Sequence, residues 1–226
     1  MRPPIFFDKA EKSEVKEMNI VFQGDSITDA GRGTGFGTGY AAMAAGFVGA
    51  EEAGQHEFFN RGVSGNRIVD LYARIKEDCN NLNPDILSVL IGVNDVWHEI
   101  DNQNGVDAEK FEKIYNMFME EVIAHNPDIK IIVLGPYVLK GPATVSEENP
   151  DRWATFEREV ALRAEASKRV AERFGKNTVY VSLQEMFNEA LKRAPESQWT
   201  GDGVHPTPQG HALIAQEWMK AYKSFK

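Results

Sequence analysis

Cysteine is almost absent from this sequence. The 226 residues include a single cysteine, Cys79. One thiol excludes an intramolecular disulfide, and it leaves no second thiolate for a zinc or redox pair. Cys79 falls near the end of a predicted helix, within "RIKEDCNNL". Because an unpaired cysteine usually behaves as a small buried apolar side chain, we expect Cys79 to be structural.

Long apolar runs and basic clusters are missing as well. The N-terminal twenty residues lack the apolar run of about 7–15 residues that a signal peptide requires, and no stretch approaches the roughly 20 apolar residues of a membrane span. The formal net charge is −9, with no cluster of Lys and Arg. Nucleic acids and anionic lipid surfaces require a basic face. We therefore expect a cytoplasmic protein that binds neither nucleic acid nor membranes.

Short apolar runs alternate with amphipathic segments along the chain. Five short apolar runs predict strands: "NIVFQG", "EFFNRGVSG", "DILSVLIGVND", "IKIIVLGP" and "NTVYVSL". "NRIVDLYARIKEDCNNLN" predicts a helix, and the apolar spacing from Phe111 to Val122 predicts another. Five such strands separated by helices predict an α/β fold. We expect a flavodoxin-like three-layer α/β/α sandwich with a five-stranded parallel sheet in the order 2-1-3-4-5. Residues 1–17 are predicted to be an N-terminal arm, and residues 18–226 a single domain.

Polar residues lie where the predicted strands end. Gly24-Asp25-Ser26 ends the first strand, Gly62 follows the second, and Asn94 lies at the end of the third. In an open parallel sheet, ligands bind outside the carboxyl ends of the strands, at the point where the strand order reverses. The predicted order places the first strand between the second and third. Ser26, Gly62 and Asn94 are therefore expected to lie side by side.

This arrangement suits acyl transfer. A serine hydroxyl is a weak nucleophile until a base takes its proton, and His205 is the candidate base for Ser26. Asp202 lies three residues before His205, close enough to orient its ring and stabilise the imidazolium. The Ser26 and Gly62 backbone N–H groups and the Asn94 side-chain amide are candidate donors to an oxyanion.

Each of these segments alone also has an ordinary interpretation. Gly-Asp-Ser is common in turns, Gly62 and Asn94 fit turns or caps, and Asp202 and His205 precede a helix that Thr207 is suited to cap. A glycine-rich loop such as the one after Ser26 can also cradle a phosphate. This loop, however, lacks the Lys-Ser/Thr ending of a P-loop and the glycine spacing of a dinucleotide site. Together, the four segments in this order favour a catalytic site.

The blocks "GDSITD", "NRGVSGN", "IGVNDVW" and "DGVHPT" carry a resemblance to a known family. The chain resembles the SGNH-type (GDSL-like) serine hydrolases over nearly its whole length from about residue 18. The resemblance implies a flavodoxin-like fold, a triad of Ser26, Asp202 and His205, and an oxyanion hole of Ser26, Gly62 and Asn94. It implies no metal or organic cofactor.

A narrower similarity concerns the substrate. "GDSITDAGR", "GVSGNRIVDL", "IGVNDVWHEID" and "HPTPQGH" are similar to intracellular acetylxylan (acetyl-xylooligosaccharide) esterases. This implies a serine esterase that removes O-acetyl groups from short decorated sugars through an acyl-enzyme. Two alternatives stay open: a lysophospholipase or acyl-thioesterase of the same superfamily, and a non-catalytic carbohydrate-binding protein on the same fold.

Three aromatic residues are candidate substrate contacts. Trp97 follows the oxyanion asparagine closely, and an aromatic ring at a pocket rim suits the apolar face of a sugar, although ordinary packing explains it equally well. Tyr40 and Trp199 are further candidates for the wall. The loop over residues 135–151 is long for its position, and such loops are usually functional or lie at interfaces. Together with the arm, it makes a homo-oligomer a reasonable expectation.

Overall fold

The protein forms a five-stranded parallel sheet. The computed structural model describes residues 17–226 except 53 and 55, so residues 1–16 of the predicted arm lie outside the described residues. The strand order is β2-β1-β3-β4-β5 and every neighbouring pair is parallel, which confirms the predicted fold class and strand order. The strands are β1 (Met18–Gly24), β2 (His56–Gly62), β3 (Ile86–Leu90), β4 (Lys130–Gly135) and β5 (Thr178–Ser182).

Helices cover both faces of the sheet. Among the helices in the described part of the chain, none is both long and apolar enough to cross a membrane. Their bounds are α1 (Ser26–Asp29), α2 (Tyr40–Glu51), α3 (Ile68–Ala73), α4 (Ile75–Asp78), α5 (Val93–Asn102), α6 (Ala108–His125), α7 (Arg152–Phe174), α8 (Leu183–Leu191), α9 (Glu196–Trp199) and α10 (Pro208–Lys223).

Side chains alternate between the two faces of each central strand and so contribute to two hydrophobic cores. Ile20 and Phe22 of β1 pack in one cluster, with α2 and α10, whereas Val21 packs in the other, with α3 and α6. The period of two follows from strand geometry, which points successive side chains to opposite faces. The buried Cys79 lies in the second cluster, as its expected structural role requires.

The predicted helix over residues 66–83 is interrupted at Arg74, which separates α3 from α4. The guanidinium of Arg74 donates hydrogen bonds to the carbonyls of Gly24, at 3.2 Å, and Arg61, at 2.8 Å. It also donates to Asn66 Oδ1 at 2.8 Å. The break therefore coincides with a side chain that ties together the carboxyl ends of β1 and β2.

The third predicted strand is shorter than its apolar sequence indicated. β3 ends at Leu90, and α5 begins at Val93, inside the segment whose sequence predicts a strand. Gly92 makes the turn with a φ of 131°, a region that L side chains rarely adopt. Its position two residues before Asn94 places that amide at the first turn of a helix.

Replacement of Phe22 by alanine tests how much the first core contributes to stability. Phe22 is 0% exposed and lies between Phe36, Tyr40 and Trp218. We expect Phe22→Ala to lower the free energy of unfolding by about 3–5 kcal/mol, because it removes buried apolar surface and leaves a cavity. Urea denaturation followed by circular dichroism measures the change.

The matched control is Phe47→Ala on α2. The Phe47 side chain is 50% exposed, so its loss is expected to change the unfolding free energy by no more than about 0.5 kcal/mol. Similar losses in the two variants would contradict the assignment of Phe22 to the core.

Candidate active site

Ser26 stands on a sharp turn at the end of β1. It is the first residue of α1, and Asp25 caps that helix by accepting a hydrogen bond from the Ile27 N–H at 2.9 Å. A Cβ atom at Gly24 would lie 2.5 Å from the carbonyl oxygen of Leu90. Only glycine therefore lets β1 approach β3 this closely just before the turn. The result is a partly exposed hydroxyl at the carboxyl edge of the sheet.

His205 and Asp202 meet this hydroxyl from the other end of the chain. Ser26 Oγ lies 2.8 Å from His205 Nε2, and His205 Nδ1 lies 2.7 Å from Asp202 Oδ2. The second carboxylate oxygen of Asp202 accepts hydrogen bonds from the N–H groups of Val204, at 2.9 Å, and His205, at 2.7 Å. The three side chains form one continuous chain of hydrogen bonds.

These contacts determine how readily Asp202 and His205 carry charge. Burial alone would raise the pKa of Asp202, but the hydrogen bonds from His205 and Val204 outweigh it and lower the pKa to about 2. The hydrogen bond to Asp202 raises the pKa of His205 above its ordinary value, against the opposing effect of partial burial. The geometry thus favours an ionised carboxylate that stabilises a proton on the imidazole.

The segment between β4 and α7, residues 136–151, holds the turn that carries these two residues. Leu139 N–H donates to the Gly203 carbonyl at 2.8 Å, and Ala143 N–H donates to the Asp202 carbonyl at 2.9 Å. Tyr137 Oη donates to the Val204 carbonyl at 2.7 Å. The long loop noted in the sequence therefore supports the Asp-x-x-His turn.

Gly203 packs against the segment of residues 136–151 with no space for a side chain. Its φ is 101°, and a Cβ atom there would lie 2.5 Å from the Leu139 carbonyl oxygen. Glycine is thus required both by the backbone conformation and by the close approach of the loop.

The three candidate oxyanion donors lie at the carboxyl edge of the sheet. Ser26 N–H is at the first position of α1, where a helix offers no internal acceptor. Asn94 is buried and donates one amide hydrogen to the Asn66 carbonyl at 3.1 Å. Gly62 ends β2 in register with Gly24, and its N–H donates to Asn60 Oδ1 at 3.0 Å. A Cβ at Gly62 would collide with the backbone of α1.

Asn60 contributes to the site although its sequence context did not predict it. Its side-chain amide donates to the carbonyls of Thr28 and Phe36, each at 2.8 Å, while its oxygen accepts from Gly62. It therefore fastens the loop after Ser26 to β2. The only signal in the sequence was its position two residues before Gly62, which is not distinctive by itself.

Two acidic residues lie buried beneath the site. Burial raises the pKa of Asp25 to about 7, partly offset by the Ile27 N–H and by the nearby His205. Burial also raises the pKa of Asp95 to about 7, partly offset by the hydrogen bond from the Ile68 N–H. Among the described residues, one oxygen of Asp25 finds no hydrogen-bond partner. These carboxyls ionise much less readily than ordinary ones.

The three predicted substrate contacts differ in position. Trp97 is partly exposed, and its ring centroid lies 6.0 Å from that of His205. Tyr40 is 0% exposed, with its hydroxyl 3.0 Å from Thr28 Oγ1, and Trp199 is only 8% exposed, with its indole N–H bonded to the Ala194 carbonyl. Both are packed into the core, so Tyr40 presents no surface to a substrate and Trp199 presents very little.

Two further histidines contact neighbouring residues. His56 has no exposed side-chain surface and lies 2.8 Å from Glu52. His211 Nδ1 accepts the Tyr40 N–H at 3.1 Å, and burial lowers the pKa of His211 to about 4.

The chain matches known proteins over most of its length. Residues 22–213 match the family of GDSL-like lipases and acylhydrolases. An acetylxylan esterase of Geobacillus stearothermophilus is 33% identical over 216 residues, which cover 89% of this chain and 92% of that protein.

Solved structures agree with this likeness. A protein described as a GDSL-like lipase, from Parabacteroides merdae, superposes with a TM-score of 0.83 at 33% identity, covering 91% of this chain and 95% of that one. The acetylxylan esterase of Geobacillus stearothermophilus superposes with a TM-score of 0.78 at 30% identity, covering 91% and 94%. Variants of that esterase with a serine or an aspartate replaced by alanine are described as catalytic mutants.

The buried carboxyl of Asp25 predicts how stability depends on pH. In the unfolded chain it ionises near its ordinary pKa of 3.8, but in the folded chain only near 7. Between these values the folded state binds more protons, so the free energy of unfolding falls as the pH rises. Asp25→Asn keeps an oxygen for the Ile27 N–H but cannot ionise. We expect its unfolding free energy to fall less steeply between about pH 4 and pH 7.

Urea denaturation at a series of pH values measures this slope, with Asp128→Asn as the control. Asp128 is exposed, so that variant should keep the slope of the unsubstituted protein. If Asp25→Asn kept it too, Asp25 would not be a source of the pH dependence.

Proposed function

The chain belongs to the GDSL-like lipase/acylhydrolase family and is a carboxylic ester hydrolase, and we propose that it removes O-acetyl groups from short decorated sugars, such as acetylated xylo-oligosaccharides, through an acyl-enzyme on Ser26. The observation that carries the proposed mechanism is the chain of contacts from Ser26 Oγ to His205 Nε2, at 2.8 Å, and from His205 Nδ1 to Asp202 Oδ2, at 2.7 Å. Both distances are those of good hydrogen bonds.

In the proposed reaction, His205 takes the proton of the Ser26 hydroxyl as the oxygen attacks the ester carbonyl. Asp202 stabilises the imidazolium that forms and fixes the tautomer that presents Nε2 to Ser26. His205 then returns the proton to the departing sugar hydroxyl, and the acetyl group remains on Ser26. Water, activated by the same imidazole, releases acetate and restores the serine.

The negative charge on the tetrahedral carbonyl oxygen requires donors already in place. We assign this task to the Ser26 N–H, the Gly62 N–H and the Asn94 amide. Asn94 has two amide hydrogens and uses one for the Asn66 carbonyl, which leaves the other for the oxyanion. Gly62 N–H already donates to Asn60 Oδ1, so in this proposal it is shared between that oxygen and the oxyanion.

The substrate class rests on two supports. The first is the 33% identity to a protein described as an acetylxylan esterase, at nearly full coverage of both chains. The second is the indole of Trp97 beside His205. An indole offers a flat apolar surface to the apolar face of a pyranose ring, while polar groups nearby bind the hydroxyls.

Ser26→Ala tests the acyl-enzyme. We expect the variant to lose about 10⁴-fold or more in kcat on an acetate ester, because the nucleophile is removed. A fluorophosphonate should add to the unsubstituted protein at the peptide containing Ser26, as read by mass spectrometry, and not to the variant.

The control for this experiment is Ser224→Ala, at the end of α10, where the hydroxyl donates to the Ala221 carbonyl. It should keep both turnover and labelling. Undiminished ester hydrolysis by Ser26→Ala would rule out Ser26 as the nucleophile.

A substrate panel tests the acyl group and the sugar. Acetate release should be measured on acetylated oligosaccharides from xylan, mannan and pectin, and rates on p-nitrophenyl esters of increasing chain length. We expect kcat/KM to fall by about tenfold or more between acetate and hexanoate, because a site fitted to an acetyl group has no space for further methylenes. A maximum beyond butyrate would instead favour the lysophospholipase or acyl-thioesterase alternative.

A further inference from the structure

Trp97 is held beside His205 by contacts on more than one side. Its ring meets the ring of Phe156 edge to face, with centroids 6.0 Å apart and an interplanar angle of 78°. A second aromatic neighbour is His205, at 6.0 Å and 51°. The indole therefore forms part of the surface next to the group that moves the proton in the proposed reaction.

The indole N–H is fixed by Asp101, one helical turn further along α5. Trp97 Nε1 donates to Asp101 Oδ2 at 2.7 Å. The two residues are four apart, so they lie on the same face of the helix. An indole has one donor and no acceptor, and this bond therefore determines which edge of the ring faces α5.

Arg152, the first residue of α7, fixes Asp101 in turn. Its guanidinium donates to both carboxylate oxygens of Asp101, at 2.6 and 3.3 Å. The hydrogen bond from Arg152 lowers the pKa of Asp101 below its ordinary value. A bidentate pair of this kind fixes the orientation of the carboxylate in addition to attracting it. Asp101 is 38% exposed and Arg152 only 15% exposed on their side chains.

Arg152 also reaches the loop that supports the Asp202 turn. Its Nε donates to the Ala143 carbonyl at 2.7 Å, and the Ala143 N–H donates to the Asp202 carbonyl. The guanidinium lies 5.2 Å from the centroid of the Phe156 ring, against which Trp97 packs. Arg152 therefore contacts both the neighbours of Trp97 and the loop that supports the backbone of Asp202.

We propose that Asp101 and Arg152 are positioning residues that hold the indole of Trp97 as a fixed wall for the sugar ring of the substrate. This inference rests on the proposed function, since it assigns the wall to a sugar. A wall that is already oriented loses little conformational freedom when the substrate binds, which strengthens binding without a new contact. Asp101 contacts the indole and not the reacting atoms, so its effect falls on KM rather than on kcat.

Asp101→Ala tests this inference with two substrates. For an acetylated xylo-oligosaccharide, we expect KM to rise about tenfold while kcat stays within about twofold, because a charged hydrogen bond to the indole is lost. For ethyl acetate, whose alcohol has no ring to contact the indole, both constants should stay within about twofold. Asp101→Asn keeps an acceptor for the indole N–H and should recover part of the loss.

The control is Glu109→Ala, which removes an exposed ion pair with Lys113 on α6. Like Asp101→Ala, this variant removes one exposed carboxylate, and it should change neither KM nor kcat. An unchanged KM for the sugar ester in Asp101→Ala, in an enzyme that hydrolyses that ester, would overturn the inference.

A second measurement reports on the indole itself. Quenching of tryptophan fluorescence by acrylamide should increase in Asp101→Ala, because the released indole becomes more accessible. In a Trp97→Phe background, the same substitution should leave quenching unchanged. Equal quenching in Asp101→Ala and the unsubstituted protein would show that Asp101 does not hold the ring.

These measurements separate the inference from the proposed function. If the unsubstituted enzyme hydrolyses ethyl acetate but no acetylated sugar, the proposed substrate is wrong, and the assignment of the wall to a sugar fails with it. The quenching pair then still decides whether Asp101 positions Trp97.

Discussion

The hydrogen bond between Ser26 and His205 joins residues separated by 179 positions in the chain. Ser26 is delivered by the first strand, and His205 by a turn that follows the last strand and two further helices. Neither residue can find the other through local structure. The distance of 2.8 Å between Ser26 Oγ and His205 Nε2 is therefore a property of the packed three-layer fold. Any change that shifts β1 against the turn carrying Asp202 and His205 would disturb this contact.

Close backbone contacts keep these parts in register. Gly24 lets β1 approach β3, Gly62 lets β2 approach α1, and Gly203 lets the Asp202 turn dock on the segment of residues 136–151. A side chain at any of the three would collide with its neighbour. The site is thus assembled by strands and loops that approach more closely than side chains usually allow, which is one reason why its geometry is narrowly defined.

The polar character of this edge has a cost in stability. Asp25 and Asp95 are buried, with pKa values raised to about 7, and within the described part of the chain one oxygen of Asp25 has no partner. A carboxyl group withdrawn from water is destabilising unless it stays protonated or finds a partner. Asp25 nevertheless caps the helix that begins at Ser26. The turn that presents Ser26 is therefore built on a carboxyl group that is costly to bury.

One segment of the chain contacts both the turn that carries Asp202 and the Asp101 side chain beside Trp97. Residues 136–151 bind the backbone of Asp202, Gly203 and Val204, and Arg152 at the end of this segment binds Asp101. A loop of this length without secondary structure is uncommon in a compact domain. Here its backbone groups are used as a scaffold, which explains how an irregular segment can hold parts of a site in place.

The sequence by itself determined the fold class, the strand order and the residues gathered at the carboxyl edge of the sheet. It could do so because strand and helix periods are local, and because parallel connections leave few topologies. Only the tertiary structure decided the break at Arg74, the start of α5 at Val93, the burial of Tyr40 and Trp199, and the contacts of Asn60 and Asp101. Each of these depends on partners far away in the chain, and residue type at one position does not report which neighbours will pack around it.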